Sequence, residues 1–347
     1  MILESELQEI RKMLTEAKRP VFIFDDDQDG LCSFLILWKW QQKGKGIPTK
    51  GKIDEEMIRK VQEEKADLVI LLDKPLVEQE FISGIQVPII HIDHHPLLTI
   101  EAPNYHYYNP RKERANDERP TSYWAYQITK QNLWIAMIGI IGDWYIPEFT
   151  EEFQKQYPGL IPEANSPGQV FFDTEFGKLI RSFVFSLKGK SQEKSQCIKI
   201  LTRIEHPNEI LKQETARGKF IWKHFVSLEK KYQLVVKQGL AIKTRGKILL
   251  YTYPTEQDSF TSLVSNELSY RRPDKIIIVG RIRNEKMIMS FRANNLILPP
   301  IINKSLEGLT GYGGGHDHAC GATVRTDEFG TFMTRFKKYS SEATRKK

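Results

Sequence analysis

Three short apolar runs stand out in the first hundred residues. They cover 20–25 (PVFIFD), 67–73 (DLVILLD) and 87–93 (VPIIHID). The runs are rich in β-branched and aromatic residues and do not alternate with polar positions, which predicts strands buried on both faces of a parallel sheet. Helical patterns over 31–42 and 55–65 separate them. This β-α-β-α-β order predicts a doubly wound sheet.

Each of the three runs ends in an aspartate, namely Asp25, Asp73 and Asp93. The strands of a parallel sheet point the same way, so their carboxyl ends lie along one edge, where doubly wound sheets bind their ligands. The sequence therefore predicts a ligand site at this edge, with three acids close together.

Farther along, the pattern changes from helices to short strands. A helix is predicted over 122–141, followed by Gly142 and Asp143, and residues 171–232 are mostly helical and charged, as in a helical connector. Beyond it, the predicted helix covers 259–270, and the predicted strands cover 234–236, 248–252, 275–279 and 287–291. The expected fold class is α/β, with an N-terminal doubly wound, mainly parallel sheet and a smaller C-terminal α/β domain.

Composition limits the class of protein. Of the 347 residues, 40% are hydrophobic and 27% are charged, which excludes a disordered or fibrous chain. No apolar run approaches the roughly 20 residues that span a bilayer, and residues 1–20 have the pattern of an amphipathic helix rather than a signal peptide. The three cysteines, Cys32, Cys197 and Cys320, are widely spaced. We therefore expect neither a disulfide framework nor a thiolate zinc site, and a cytoplasmic location.

The basic charge is concentrated in the C-terminal third of the chain. Residues 237–347 contain 19 Lys and Arg against 10 Asp and Glu, a net charge of +9, whereas the whole chain has a net charge of +7. The remainder is therefore slightly acidic. Such asymmetry is expected if the basic segment meets a polyanion such as a nucleic acid, although a basic surface that only aids solubility would look the same.

The first predicted strand runs into a cluster of acids. Residues 25–30 (DDDQDG) place four carboxylates within five positions, and Gly30 permits a tight turn into the next helix. So many like charges in one turn are unfavourable unless cations or hydrogen-bond donors neutralise them. Oxygen ligands of this kind suit Mg²⁺ or Mn²⁺. The alternative is a solvated acidic turn.

A second cluster follows the third predicted strand, at residues 91–96 (HIDHHP). Its imidazoles can bind a metal or transfer protons, and a carboxylate such as Asp93 can orient them. The alternative is a set of hydrogen-bonded histidines at a strand end. Asp73 and Asp143 look ordinary alone, as a helix cap and a solvent-facing acid. Their positions, at a strand end and after a buried apolar helix, favour a metal as their partner.

A glycine-rich segment lies in the basic part of the chain. Residues 310–316 (TGYGGGH) contain consecutive glycines that would let backbone N–H groups approach a phosphate, with a following helix presenting its positive end. Arg292, two residues beyond Ser290 at a predicted strand end, is the best candidate for a bidentate phosphate clamp. The alternative for the glycines is a flexible turn.

In this order, the motifs resemble those of the DHH phosphoesterases. The four motifs of that family are matched by Asp25-x-Asp27-x-Asp29-Gly30, Asp73, Asp93-His94-His95 and Asp143, and the DHH-associated C-terminal domain by Gly313-Gly314-Gly315-His316. The matches extend from about Val21 to Val324. The Asp-rich first motif, the overall size and the segment 120–123 (PTSY) are similar to the RecJ-type exonucleases, particularly the shorter archaeal forms.

The resemblance implies a phosphodiesterase with two divalent cations, Mn²⁺ preferred or Mg²⁺. By position, the metal ligands would be Asp25, Asp27, Asp29, Asp73, His94 and Asp143. Many smaller DHH enzymes have a metal-binding histidine four residues before the position of Asp27, where this chain has Ile23. One metal site would then be weaker, or Asp25 would substitute for the histidine.

The resemblance also implies roles in catalysis and in substrate binding. His95, with Asp93, would contact the scissile phosphate or support the metals. The residues that would hold substrate phosphate are Ser290, Arg292, Gly313, Gly314, Gly315 and His316. The expected domains are a catalytic DHH domain over 1–190, a helical connector over 191–232 and a DHH-associated substrate-binding domain over 233–347, with the active site in a cleft between the two domains.

The function expected from these inferences is that of a RecJ-like exonuclease. It would hydrolyse single-stranded DNA or RNA by two-metal activation of water. Two alternatives remain: a phosphodiesterase acting on very short oligonucleotides or cyclic dinucleotides, and a non-catalytic replication scaffold. The expected partners are single-stranded nucleic acid and, as candidates, replication or repair proteins, with no membrane. The scaffold is the least favoured alternative, because the chain retains the expected acids.

Overall fold

A computed structural model describes residues 1–51, 53–163, 166–254 and 259–345. The chain divides into two compact units, Met1–Phe225 and Val226–Lys347. Each unit contains one five-stranded sheet. The assignment of a catalytic domain, a connector and a substrate-binding domain to parts of the chain stays a prediction.

The first unit is built on a parallel sheet. Its strands are β1 (Pro20–Asp25), β2 (Lys45–Thr49), β3 (Leu68–Leu72), β4 (Ile89–Ile92) and β5 (Tyr105–Tyr108). Their order in the sheet is β2-β1-β3-β4-β5, and every neighbouring pair is parallel. This is the doubly wound, parallel sheet that the sequence predicts, extended by two strands at its edges.

Burial on both faces explains why the central strands have no alternating pattern. Every residue of β3 is buried, and so is every residue of β1 except Asp25. On one face, Phe22 and Phe24 pack against the ring of Phe34. On the other face, Ile23 belongs to a separate apolar cluster. The edge strand β2 is harder to predict because its sequence, KGIPT, contains Gly and Pro, which are tolerated at an edge.

Helices surround this sheet and complete the first unit. They are α1 (Glu4–Glu16), α2 (Gln28–Gln41), α3 (Glu55–Glu63), α4 (Gln79–Gly84), α5 (Thr121–Thr129), α6 (Leu133–Gly142), α7 (Thr150–Gln156), α8 (Pro167–Asp173), α9 (Glu175–Ser186), α10 (Ser191–Leu201) and α11 (Pro207–Leu211), followed by α12 (Ala216–Ala241), which runs on into the second unit. Within the described ranges, no helix combines the length and the apolar character needed to cross a bilayer.

The single helix predicted over 122–141 is in fact two helices, α5 and α6. Lys130 and Asn132 between them adopt left-handed backbone conformations, with φ of 52° and 58°. A left-handed residue ends an α-helix, and asparagine adopts this conformation more readily than most residues. The chain can therefore turn between two strongly apolar segments, and every residue of α6 is buried.

The second unit contains a mixed sheet. Its strands are β6 (Ile248–Thr252), β7 (Ile276–Arg283), β8 (Lys286–Arg292), β9 (Gly311–His316) and β10 (Ala319–Arg325), in the order β6-β7-β8-β10-β9. The β6–β7 pair is parallel and the other pairs are antiparallel. Its helices are α13 (Thr261–Arg271), α14 (Pro299–Leu306) and α15 (Phe329–Arg345). One face of the sheet packs on Phe332 and Phe336 of α15.

The strand predicted at 234–236 is wrong, because α12 continues through this segment. Tyr232, Val236 and Gly239 are buried or partly buried, whereas Leu234 is exposed. This spacing of three and four residues is that of one helix face, not of a strand. Three consecutive apolar residues are too few to distinguish the two periods.

Candidate metal centre

The strand ends of the first sheet bring the predicted acids together. In the sheet register, Phe24 pairs with Leu72, which in turn pairs with Ile92. Asp25, Asp73 and Asp93 are the next residues along these three strands. Asp73 adopts a left-handed conformation, with φ of 58°, as the chain leaves β3. The convergence of acids expected from a parallel sheet is therefore present at its carboxyl edge.

Two groups of potential metal ligands share one histidine. Asp73, His94 and His95 form the first group and Asp29, His94 and Asp143 the second, and within each group the ligand atoms all lie within 4.8 Å of one another. The Nε2 atom of His94 is 3.4 Å from Oδ1 of Asp73 and 3.4 Å from Oδ2 of Asp143. His94 thus lies between carboxylates that come from the end of β3 and from the end of α6.

Asp29 is held in the site by the N-terminus of α5. Its carboxylate accepts hydrogen bonds from the backbone N–H groups of Thr121 (2.7 Å) and Ser122 (2.9 Å), and from the Ser122 hydroxyl. The Thr121 hydroxyl donates to Asp73 at 3.3 Å. The first N–H groups of a helix have no partners within the helix, so a carboxylate is a natural acceptor for them. The residues of segment 120–123 therefore position two of the predicted ligands.

Asp25 and Asp27 lie beside the two groups and make other contacts. Asp27 caps α2 by accepting a hydrogen bond from the N–H of Gly30 at 3.0 Å. Asp25 pairs with Lys74, whose Nζ is 2.6 Å from Oδ1 of the carboxylate. Lys74 is completely buried and also donates to the carbonyl of Thr49 at 3.1 Å. The sequence alone assigns no role to Lys74, although a lysine directly after a buried strand and a candidate ligand is a usable signal.

His95 is oriented by a buried carboxylate. Its Nδ1 is 2.8 Å from Oδ1 of Asp93, and its backbone N–H donates to Oδ2 of Asp93 at 3.2 Å. Asn109 supports this pair by donating to the carbonyl of His95 at 2.9 Å. The predicted association of His95 with Asp93 thus appears as a direct hydrogen bond. Asn109 is a further residue that no local pattern identifies.

The protonation of the acids reflects how unfavourable it is to bury so many together. Burial, followed by the charge of Asp73, raises the pKa of Asp29 to about 8 and that of Asp27 well above its usual value. Burial also raises the pKa of Asp143, to about 6. Asp73 behaves differently: despite burial, its hydrogen bond with His94 and the charge of His95 lower its pKa to about 2.

The donor set fits a divalent cation. Carboxylate oxygens together with imidazole nitrogens suit Mn²⁺ and other divalent first-row metals, and carboxylates alone suit Mg²⁺. A cation in the site would replace the protons that burial otherwise favours on Asp29 and Asp143. The residues present can therefore hold a metal, with His94 shared between the two groups.

Comparison with solved structures shows which known fold this chain shares. RecJ from Thermus thermophilus, in complex with Mn²⁺, is similar over 99% of this chain, with a TM-score of 0.69 and 13% identity. The exonuclease RecJ bound to manganese is similar over 96% of this chain and 94% of its own, with a TM-score of 0.64 and 15% identity. The chain has a RecJ fold.

A DHH domain from a member of the S1p family of ribosomal proteins has the same fold, with a TM-score of 0.69 and 16% identity over 96% of this chain and 89% of its own. No protein family model and no curated protein matches the sequence. This chain spans only 56% of the Thermus thermophilus RecJ chain. The RecJ fold confirms the α/β fold class and the resemblance to RecJ-like DHH proteins.

Ile23, where the resemblance raised the question of a missing histidine, lies in the middle of β1. Its side chain is completely buried in the apolar cluster that includes Val21 and Leu71. The position therefore belongs to the sheet core and supplies no metal ligand. The three cysteines are buried, and none of them forms a disulfide.

The predicted phosphate-binding residues lie in the second unit. Ser290 pairs with Gly321 of β10, which pairs with Gly314 of β9. The two glycines are exposed and leave the backbone of this row uncovered. The helix expected after the glycines is wrong: β9 and β10 form a hairpin through Asp317 and His318, because residues 319–325 alternate so that Cys320, Ala322 and Val324 enter the core.

Arg292 is held by contacts within the second unit. Its Nε donates to Asn266, its Nη2 to the hydroxyl of Ser262 at 3.0 Å and its Nη1 to the carbonyl of Phe291 at 2.7 Å. Burial lowers the pKa of Arg292 to about 10, so the guanidinium still carries its charge at neutral pH. Three of its five N–H groups thus donate to acceptors among the described residues.

Proposed function

We propose that this chain is a metal-dependent phosphodiesterase, a RecJ-like exonuclease that acts on single-stranded DNA or RNA. The observation that carries the proposal is the pair of carboxylate–imidazole groups that share His94 at the strand ends of the RecJ-like sheet. The structural similarity to RecJ proteins supports the fold, and the site supplies the argument for chemistry.

Two divalent cations, with Mn²⁺ preferred or Mg²⁺, would be held by residues of both groups. The proposed ligands are Asp29, Asp73, His94 and Asp143, joined by Asp27, which lies close enough for the charge of Asp73 to raise its pKa. Asp25, paired with Lys74, is assigned an outer position. When bound, the ions would lower the pKa of a water and stabilise charge on the attacking and leaving oxygens.

The residues of the chain have distinct tasks in this proposal. Asp93 fixes the ring of His95 through Nδ1, and the hydrogen bond to Asp93 raises the pKa of His95 although burial opposes it. A protonated His95 can contact the scissile phosphate and donate a proton to the leaving oxygen. The N-terminus of α5 keeps Asp29 in place throughout.

The substrate would be held by the second unit. Ser290, Arg292 and His316, with the backbone of Gly313, Gly314 and Gly315, are proposed to bind the phosphates of the strand. Residues 237–347 have a net charge of +9, which favours a polyanion over a small neutral substrate. In a duplex the bases are paired and stacked, so single nucleotides are not free to bind to these residues. A single strand is therefore the proposed substrate.

Digestion of end-labelled strands tests the proposal. Single-stranded DNA and RNA of graded length are incubated with Mn²⁺, and we expect a ladder of products that EDTA abolishes. Asp73→Ala should be inactive, whereas Asp274→Ala, which removes a carboxylate that is 67% exposed, should match the wild type. Cleavage of di- to tetranucleotides alone would favour the short-substrate alternative. If the wild-type protein is as inactive as Asp73→Ala, the result would favour the alternative of a non-catalytic replication scaffold.

A further inference from the structure

A tryptophan follows directly on one of the proposed metal ligands. Trp144 comes after Asp143, and its side chain is 42% exposed. Tyr123 and Trp124, which also lie near the site, are by contrast 3% and 2% exposed and belong to the core. Consecutive Cα atoms are about 3.8 Å apart, so the backbone of Trp144 lies at the edge of the metal centre.

The backbone of Trp144 is held in an unfavourable conformation. Its φ is 65°, in the left-handed region that bulky residues rarely adopt. Hydrogen bonds from Trp144 N to Ile141 O and from Tyr145 N to Ile140 O, both 3.1 Å, fix this turn at the end of α6. Strained residues of this kind concentrate at functional sites, because the surrounding structure must compensate for the strain.

The indole ring rests on two phenylalanines of α8. It is nearly parallel to the ring of Phe171, at 11° and 6.4 Å between centroids, and lies 6.2 Å from Phe172 at 50°. Phe171 is itself only 2% exposed. Trp144 thus has a rigid apolar support, yet much of its surface remains open to solvent.

We infer that Trp144 is a stacking platform for a nucleobase of the strand end whose phosphate is at the metal centre. This inference rests on the proposed function and adds a base-binding residue to it. Aromatic side chains stack on any base, because every base has a π face, so the platform would bind without regard to sequence. It would favour nucleotides over other phosphodiesters that lack a flat ring.

The test compares strands with and without terminal bases. One substrate is a single-stranded oligonucleotide of about twelve nucleotides, a length within the usual range of single-strand binding sites. The other is the same strand with abasic sugars at both ends. For the wild type we expect KM to be roughly tenfold lower on the strand with bases. Trp144→Leu, which keeps apolar bulk without an aromatic ring, should lose this preference, and Trp144→Phe should retain most of it. Unchanged base preference in Trp144→Leu would overturn the inference.

Fluorescence gives a readout that is independent of cleavage. Tryptophan emission is titrated with either oligonucleotide in EDTA, and the emission of Trp144 is taken as the difference between wild type and Trp144→Phe. Quenching by the strand with bases, but not by the abasic ends, supports stacking, and equal or absent quenching contradicts it. If the wild type shows the quenching but cleaves neither strand, the proposed exonuclease activity is wrong, whereas the proposed stacking of a base on Trp144 is supported. The same titration decides the question if Trp144→Leu does not fold.

Discussion

His94 is the side chain on which the candidate centre depends. One nitrogen, Nε2, lies 3.4 Å from Asp73 and 3.4 Å from Asp143, so this residue belongs to both ligand groups. His95, its neighbour in sequence, is instead held by Asp93. Two adjacent histidines thus have different surroundings, and different surroundings give the same side chain different chemistry.

Replacement of Asp93 tests the role of its pair with His95. Asp93→Asn keeps the shape of the side chain but removes the negative charge that orients and protonates the imidazole. We expect kcat/KM on single-stranded DNA to fall about 10- to 100-fold, as for outer partners of metal sites. Steady-state kinetics measures the change, with Asp274→Asn as the exposed control. A value equal to that of the control would contradict the assignment.

Lys74 should matter for stability. Lys74→Met leaves the carboxylate of Asp25 without its cation, and breaking a largely buried pair lowers the free energy of unfolding by about 3 kcal/mol. Urea denaturation measures the loss, and the double variant Asp25→Asn/Lys74→Met should recover part of it. Lys45→Met is the matched control: its side chain is 56% exposed and pairs with Glu64, so we expect a change below about 1 kcal/mol. Equal losses in the two lysine variants would refute this prediction.

At the scale of elements, the segment before α5 organises the site. Arg119 donates to Asp117 through Nε at 2.8 Å, and its guanidinium lies over the rings of Tyr123 and Trp124, at 4.9 Å and 4.4 Å from their centroids. These contacts fix the start of α5, whose first N–H groups bind Asp29. The placement of a helix terminus therefore determines the placement of a candidate ligand.

The pair of Asp117 and Arg119 predicts a pH dependence. Although burial opposes it, the hydrogen bond from Arg119 lowers the pKa of Asp117 to about 2. The unfolded chain therefore takes up this proton at higher pH than the folded chain, and the stabilisation present above about pH 4 is lost as the pH falls toward about 2. Urea denaturation should show Asp117→Asn less stable by about 1 kcal/mol near neutral pH. The difference should shrink as the solution is acidified, and a constant difference would contradict the prediction.

At the scale of the whole molecule, metal binding should stabilise the fold. Ions that bind only the folded chain add about 2.7 kcal/mol to the free energy of unfolding at a hundredfold excess over Kd. We expect Mn²⁺ to raise Tm by several degrees, which differential scanning calorimetry measures. The site variant Asp73→Ala should not respond, whereas Asp274→Ala should respond like the wild type. An equal rise in Asp73→Ala would place the bound metal elsewhere.

The strands that form the candidate site were the most predictable part of the chain. β1, β3 and β4 are largely apolar, because both of their faces are buried, and each ends in or is followed by an acid. Elements with weaker patterns were missed or wrong: the edge strand β2 contains Gly and Pro, and the apolar residues 234–236 lie within a helix. Short segments carry too little periodicity to resolve such cases.

The amino-acid order alone determined that acids and histidines would follow buried parallel strands, because burial imposes continuous apolar runs and parallel pairing aligns their ends. Only the tertiary structure decided their partners. Asp29 meets Thr121 across 92 positions of the chain, and Asp25 meets Lys74 across 49. Contacts between residues so far apart leave no local periodicity, since they depend on how packed elements bring distant side chains together.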